Sequence, residues 1–302
     1  MRKRCSDFRG GRRASKWGVN MVHVYVASAF SKDNKGGNKA GVVLDRPELT
    51  STQKMAIAKE LGYSETAFVT TSKVADYKLE YFTPTDEVPL CGHATIATFS
   101  VLFLLGKLEK SEYFIETKAG ILKMKVDEDG KVFMEQNRPA YYEILSVKDL
   151  ERCVDTALID TSMPIQSVST GLKDILLPVT SVEMLNSAEF SMEGIRELSR
   201  KNDAVGIHAF AFVKDAEITA VCRNFAPLFG IDEESATGTA SCALASYLFK
   251  HQKGKTQYIF EQGYSLGQPS RIVVTLSYEE DEIVEIFVGG YGYMVCEKDL
   301  DM

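Results

Sequence analysis

The chain has 302 residues, 45% of them hydrophobic and 25% charged, enough for one large domain or two of about 150 residues. Its net charge of -7 is uneven, because residues 1–20 hold seven basic side chains and one acid and leave the rest of the chain at -13. An acidic body argues against nucleic acid as the main partner, since phosphate contact needs a basic face, and no apolar run approaches the roughly 20 residues of a membrane span.

Residues 1–20 lack the apolar core of a secretory signal, and Met21 directly precedes the strand-like Val22–Val26. They are expected to be a disordered or non-native basic extension. Val22–Ala29 alternates as a strand does, Asn34–Gly37 is a turn-rich loop, and Ala40–Leu44 resumes as strand. Ser51–Leu61 reads as a helix led by Ser51 and stopped at Gly62. Strands are expected at Thr66–Thr70 and Tyr77–Thr83, then a strongly apolar helix from Gly92 to about Gly106. Short strands follow at Tyr113–Thr117, Ile121–Val126 and Lys131–Gln136.

Around Asn137–Leu150 the pattern lapses, which suggests a boundary between a domain at 21–137 and another at 138–288, with residues 289–302 free to pack back on the first. The second stretch predicts helices near Leu150–Ile159 and Ser191–Lys201. Its strands are expected at Ile165–Thr170, Ile175–Val179, Gly206–Val213 and Glu217–Phe225, then Tyr258–Gln262, Arg271–Ser277 and Glu282–Val288, with a second apolar helix after Gly238. Strand-rich halves, each with one helix apolar on nearly every face, suit a curved sheet wrapped around a buried helix. The expected class is α+β, two pseudo-symmetric and mostly antiparallel units.

The symmetry is written in the residues. Phe82-Thr83-Pro84, an acidic stretch and Gly92-His93-Ala94 are echoed by Phe225-Ala226-Pro227, an acidic stretch and Gly238-Thr239-Ala240, about 143 to 146 residues later. A Gly at a turn before an apolar helical run marks a helix N-terminus, whose free N–H groups favour an anion such as a carboxylate. Glu65, just after a helix stop and at the mouth of an apolar strand, is a candidate general acid and base. A solvated strand-edge Glu is the plainer alternative. Cys91 and His93 sit at the first helix start, where a neutral imidazole suits hydrogen bonding to substrate, and Glu233 and Glu234 precede Gly238. Six widely spaced cysteines without a Cys-x-x-Cys pair read as free thiols in a cytoplasmic protein, and four scattered histidines match no zinc spacing, so no metal is expected. No Gly-x-Gly-x-x-Gly follows a strand, which leaves a dinucleotide site unsupported.

Asn38, Ser64-Glu65-Thr66-Ala67-Phe68-Val69, Phe82-Thr83-Pro84, Cys91-Gly92-His93-Ala94-Thr95, Ser169-Thr170-Gly171, the run Gly230–Ala240 and Gln262-Gly263 fall in order along the chain. Together they resemble the PhzF-like (phenazine-biosynthesis isomerase-like) family over about residues 21–295. The resemblance implies a diaminopimelate-epimerase-like fold with the site in the cleft between two domains. It further implies a cofactor-free, commonly dimeric enzyme that moves a proton on a small amino or hydroxy acid with one carboxylate. On that basis Glu65, His93 and Glu234 are the expected catalytic residues, and Asn38, Gly92, Gly238 and Thr239 the expected substrate-binding ones. Lys39, Glu234, Ser235 and Gln268 depart from the common pattern, which leaves the proton chemistry plausible and the substrate open.

Two alternatives remain. An epimerase or racemase of the same fold would use two opposed thiols, but the residue before Gly238 is Thr237 where the echo of Cys91 belongs, and a hydroxyl is far too weak an acid to replace a thiol. A non-catalytic small-acid-binding protein is the other. Opposed helix ends would favour a small carboxylic acid over a nucleotide.

Overall fold

The computed structural model describes residues 21–214, 217–252 and 255–301, so the basic segment 1–20 lies outside the described residues. The chain forms two compact units: residues 21–29, 38–134 and 291–301 make the first, residues 30–37 and 135–290 the second.

In the first unit, β1 (Met21–Ala29) and β2 (Asn38–Leu44) precede α1 (Ser51–Leu61). Then come β3 (Thr66–Thr70), β4 (Tyr77–Phe82), the short β5 (Glu87–Val88) and α2 (Gly92–Leu104). β6 (Glu112–Thr117), β7 (Gly120–Val126) and β8 (Val132–Glu135) follow. α1 is capped one residue earlier than the sequence suggested: Thr50 and Gln53 form a reciprocal capping box, and Gly62 ends the helix at a φ of 70°.

The second unit opens with β9 (Ala140–Leu145), β10 (Ile165–Ser169) and β11 (Lys173–Pro178), then α3 (Val182–Ser187) and α4 (Met192–Asn202). It continues with β12 (Gly206–Phe212), β13 (Ala220–Ala226), β14 (Ile231–Glu234), α5 (Gly238–Gln252), β15 (Gln257–Gln262), β16 (Ser270–Glu279) and β17 (Glu282–Gly290). The chain then returns to the first unit as β18 (Tyr293–Asp301), antiparallel to β1.

The expected helix near Leu150–Ile159 is absent. Two short 3-10 turns, Val147–Leu150 and Thr156–Leu158, stand there instead. Ser146 with Asp149, and Asp155 with the Ala157 N–H, hydrogen-bond to nearby backbone and so compete with helix propagation.

The pairing repeats from unit to unit. In the first, β18–β1–β2 are antiparallel, β2–β3 parallel, β3–β4 antiparallel, β4–β6 parallel and β6–β7–β8 antiparallel. In the second, β9–β10–β11 are antiparallel, β11–β12 parallel, β12–β13 antiparallel, β13–β15 parallel and β15–β16–β17 antiparallel. Each parallel step is bridged by helix, α1 or α3 and α4 at the first and α2 or α5 at the second, as a parallel crossover requires.

Residues 93–102 of α2 and 240–249 of α5 are buried without a break. Hydroxyls inside these helices are satisfied locally: Thr95, Thr98 and Ser100 donate to carbonyls four residues back in α2, as do Ser241 and Ser246 in α5. The opposite sheet faces have their own cores. Val24, Val43, Ile57, Leu61 and Phe68 pack together under α1, and Ile175, Leu177, Ile195, Ile207 and Phe225 under α3 and α4. Among the described residues no helix is long and apolar enough to cross a membrane.

Candidate active site

Glu65 is carried to its place by the stop of α1 and the start of β3. Its carbonyl accepts the Gly41 N–H, which pins it to β2. Strand periodicity puts it on the same face as Ala67, whose neighbour Tyr81 reaches the Thr95 hydroxyl of α2 at 2.6 Å. The Glu65 side chain therefore runs along the face that holds α2, toward that helix's first turn.

There it meets His93. Glu65 Oε2 is buried, lies 3.3 Å from His93 Nε2, and has no hydrogen-bond partner. Ser64 Oγ is 3.4 Å from the same ring nitrogen, and Cys91 Sγ is 3.5 Å from Nδ1. Burial pushes the His93 pKa down, partly offset by the neighbouring Glu65 carboxylate, so the imidazole is neutral at pH 7. The Cys91 side chain, in the N-cap position, does not cap the helix. The first N–H groups of a helix have no intrahelical acceptor, so a helix start of this kind suits an anionic or carbonyl oxygen. Donor atoms of Glu65, Cys91 and His93 all lie within 4.8 Å of one another, a set able to hold a metal ion as well as to move a proton.

The predicted residues of the second unit gather at the start of α5. Thr237 Oγ1 donates to Glu234 Oε2 at 2.6 Å, and Gln262 Nε2 donates to the Glu234 carbonyl at 2.7 Å and to Thr237 Oγ1 at 3.1 Å. Thr170 of the Ser-Thr-Gly loop donates to the Thr239 carbonyl at 3.1 Å. A side chain at Gly238 would approach Val288 and Phe30 only at 3.3–3.4 Å, whereas Gly92 has Met134 at 3.4 Å. Asn38 begins β2, opposite Ala29 of β1.

Register aligns the two units residue by residue. Thr66 lies opposite Phe82, and Ile207 opposite Phe225, so the counterpart of Glu65 is Gly206. The counterparts of Cys91 and His93 are Thr237 and Thr239. The acid, thiol and imidazole thus belong to the first unit alone.

Sequence reasoning missed Ser64 as a partner of His93, and it missed a buried polar row in the second unit. Asp174, 2% exposed, and His208, fully buried, project from the α5 face of β11 and β12. Burial, reinforced by the Glu234 carboxylate, raises the Asp174 pKa from 3.8 to about 8, and burial lowers that of His208 from 6.5 to about 4. A charged residue at an inward strand position was the available signal.

This pair predicts the pH dependence of stability. Folded Asp174 stays protonated while the unfolded chain ionises it, so its contribution is full below pH 3.8 and lost as pH rises to about 8. Folded His208 stays neutral while the unfolded chain protonates it, so its contribution is full above pH 6.5 and lost as pH falls to about 4. Between those limits the two oppose each other. From pH 6.5 to 8 only Asp174 acts, and stability should fall by about 2 kcal/mol. Urea titrations should show that decline in the wild type and not in Asp174→Asn; a decline that persists in the variant refutes the assignment.

Two repeats of a mixed sheet enclosing an apolar helix define an α+β fold of the epimerase type. The chain overlays on a hydroxyproline epimerase from Agrobacterium vitis with a TM-score of 0.56 at 13% identity, covering 95% of this chain and 92% of that one, a likeness of fold alone. The phenazine biosynthesis-like (PhzC-PhzF) family model matches residues 27–298, and the chain belongs to that family. It is 30% identical to a PhzF-family protein of Bacillus anthracis whose crystal structure it matches with a TM-score of 0.86, over 94% of this chain and all of that one. It is 31% identical over 298 residues to an uncharacterised isomerase of Clostridium acetobutylicum, covering 93% of this chain and 99% of the relative. It is 28% identical over 279 residues to the trans-2,3-dihydro-3-hydroxyanthranilate isomerase of Pseudomonas chlororaphis, covering 90% and 96%. The chain is an enzyme of this isomerase family.

Proposed function

We propose that this enzyme shifts a double bond in a small cyclic or unsaturated amino or hydroxy acid, with Glu65 as its single acid and base. The observation that carries this is the buried, unpartnered Oε2 of Glu65 beside a neutral His93, with Gly206 at its counterpart in the second unit. The Glu65 carboxylate takes a proton from a saturated carbon next to the double bond, the electron pair moves along the allylic system, and protonated Glu65 returns the proton at the far end. Atoms and charge balance, and no redox partner is needed. The hydroxyanthranilate-type acid named for the Pseudomonas relative is one member of the proposed substrate class. Glu234 is proposed as a further catalytic group, and Gly238 and Thr239 are proposed to bind substrate.

The site of the first unit supports one base better than two, because Thr237 replaces a second thiol. Cys91 then packs as a small apolar residue near the helix start. Cys91→Ala should retain most activity, and complete loss would revive thiol chemistry. The test of the function is a panel of small unsaturated amino and hydroxy acids in D₂O followed by NMR. Migration of one double bond with one-site deuterium exchange supports the reading, whereas inversion at the α-carbon without bond migration overturns it in favour of epimerisation.

A further inference from the structure

We propose that Glu65, Cys91 and His93 form a binding site for a thiophilic divalent cation of the zinc type, and that the bound ion switches the enzyme off by occupying its base. The inhibition rests on the proposed role of Glu65, whereas the binding does not.

Among the described residues this is the only set of three or more Cys, His and acidic side chains gathered closely enough to share one ion, with the donor atoms all within 4.8 Å of one another. No spacing in the sequence announces it, because the turn between α1 and β3 supplies Glu65 and the start of α2 supplies the other two. The separations fit. Tetrahedral zinc, with bonds of about 2.0–2.3 Å, holds its ligand atoms about 3.3–3.7 Å apart. Glu65 Oε2 stands 3.3 Å from His93 Nε2, and Cys91 Sγ stands 3.9 Å from that same nitrogen. A small adjustment of the Cys91 side chain closes the remaining gap.

The donor set selects the ion. One sulfur, one imidazole nitrogen and one carboxylate oxygen suit zinc and its softer relatives, whereas magnesium and calcium take oxygen ligands. The Cys91 thiol gives its proton to solvent as the sulfur bonds the metal. Thiolate and carboxylate then cancel the two positive charges, so the filled site is neutral, as suits a place where Cys91 and His93 are each 8% exposed. Among the described residues Glu65 pairs with no Lys or Arg, its one ionic neighbour being His93, so an arriving cation has no positive charge to displace. The Glu65 side chain is partly exposed, which gives the ion an approach from solvent. Three protein ligands leave a fourth position for water or a carboxylate.

The second unit cannot repeat the arrangement. Its counterparts, Gly206, Thr237 and Thr239, offer neither thiol nor imidazole, so one ion per chain is expected. A metal on Glu65 Oε2 takes the lone pair that must accept the substrate proton, and turnover stops while it stays.

The test titrates the intact, freshly reduced and metal-free protein with Cd²⁺ and follows the ultraviolet charge-transfer band of a cadmium thiolate. The band should saturate at one equivalent, disappear with excess Zn²⁺ and withstand a large excess of Mg²⁺. It should be absent from Cys91→Ala and from the nearly isosteric Cys91→Ser, and His93→Gln should weaken Cd²⁺ binding about tenfold or more. The exposed His23, beside Glu297 and Asp299, has no sulfur and cannot give this band. With a substrate from the D₂O screen, Zn²⁺ should inhibit the wild type at a concentration about tenfold or more below that needed for Cys91→Ala, and a chelator should restore activity. No band, a band that survives in either folded Cys91 variant, equal inhibition of wild type and Cys91→Ala, or faster turnover with Zn²⁺ overturns the proposal. The absorbance titration needs no substrate, so a failed isomerase reading shows itself separately, as a screen without double-bond migration beside an intact band.

Discussion

Glu65→Gln should lower turnover by about 10²–10⁴ while changing unfolding free energy by no more than about 0.5 kcal/mol. Gln keeps the shape of Glu but has no proton to exchange near neutral pH. The reaction needs one group that accepts a proton and returns it, and Gly206 holds the corresponding place in the second unit. Stability should be spared because Oε2 makes no hydrogen bond that the amide would forfeit. Single-turnover kinetics on a substrate found in the D₂O screen, with urea denaturation of both proteins, decide the matter. A variant as fast as wild type removes Glu65 from the mechanism. A slow variant that is also several kcal/mol less stable points instead to a structural role.

Gly206→Ala should destabilise the enzyme by about 3–5 kcal/mol, at the upper end for a single methyl. A Cβ at this position would stand 1.7 Å from the Phe225 carbonyl oxygen, 2.8 Å from its carbon and 3.1 Å from Ala226 Cα. These are backbone atoms, so β12 and β13 would have to part. Gly238→Ala makes the comparison, since its new methyl meets only side chains at 3.3–3.4 Å and should cost less than about 1 kcal/mol. Equal urea midpoints for Gly206→Ala and wild type would contradict the β12–β13 register. The same crowding bars any side chain, and therefore any second carboxylate, from the place that mirrors Glu65.

Much of this was legible in the residues. The Phe-x-Pro to Gly-helix echo identified two similar halves because Phe82 and Phe225 occupy equivalent ladder positions and the following helices are both apolar all round. Glu65 and His93 were readable as chemistry because each stands at an element boundary, where a polar side chain is not needed for packing. β9 was missed because Tyr142 and Ile144 are exposed and its alternation is weak. β18 was missed because a strand lettered Cys-Glu-Lys-Asp-Leu-Asp, which pairs with β1, carries little apolar signal. Asp174 was passed over because, beside Lys173 at the start of a strand, it reads as an exposed acid, and His208 because it is a lone polar letter in an apolar run. Only the strand register reveals that they share a face.

The place of β18 bears on synthesis order. The first sheet is finished by residues 293–301, the last described residues of the chain, which pair with residues 21–28. The second sheet is assembled wholly from residues that precede them. A contact spanning some 270 residues carries a large loop-closure cost and forms late. On the ribosome the second unit can mature first, while β1 waits with an unpaired edge until residues 293–301 emerge. Loss of the final strand would therefore injure the half that contains Glu65 and His93, even though in sequence it adjoins the other half.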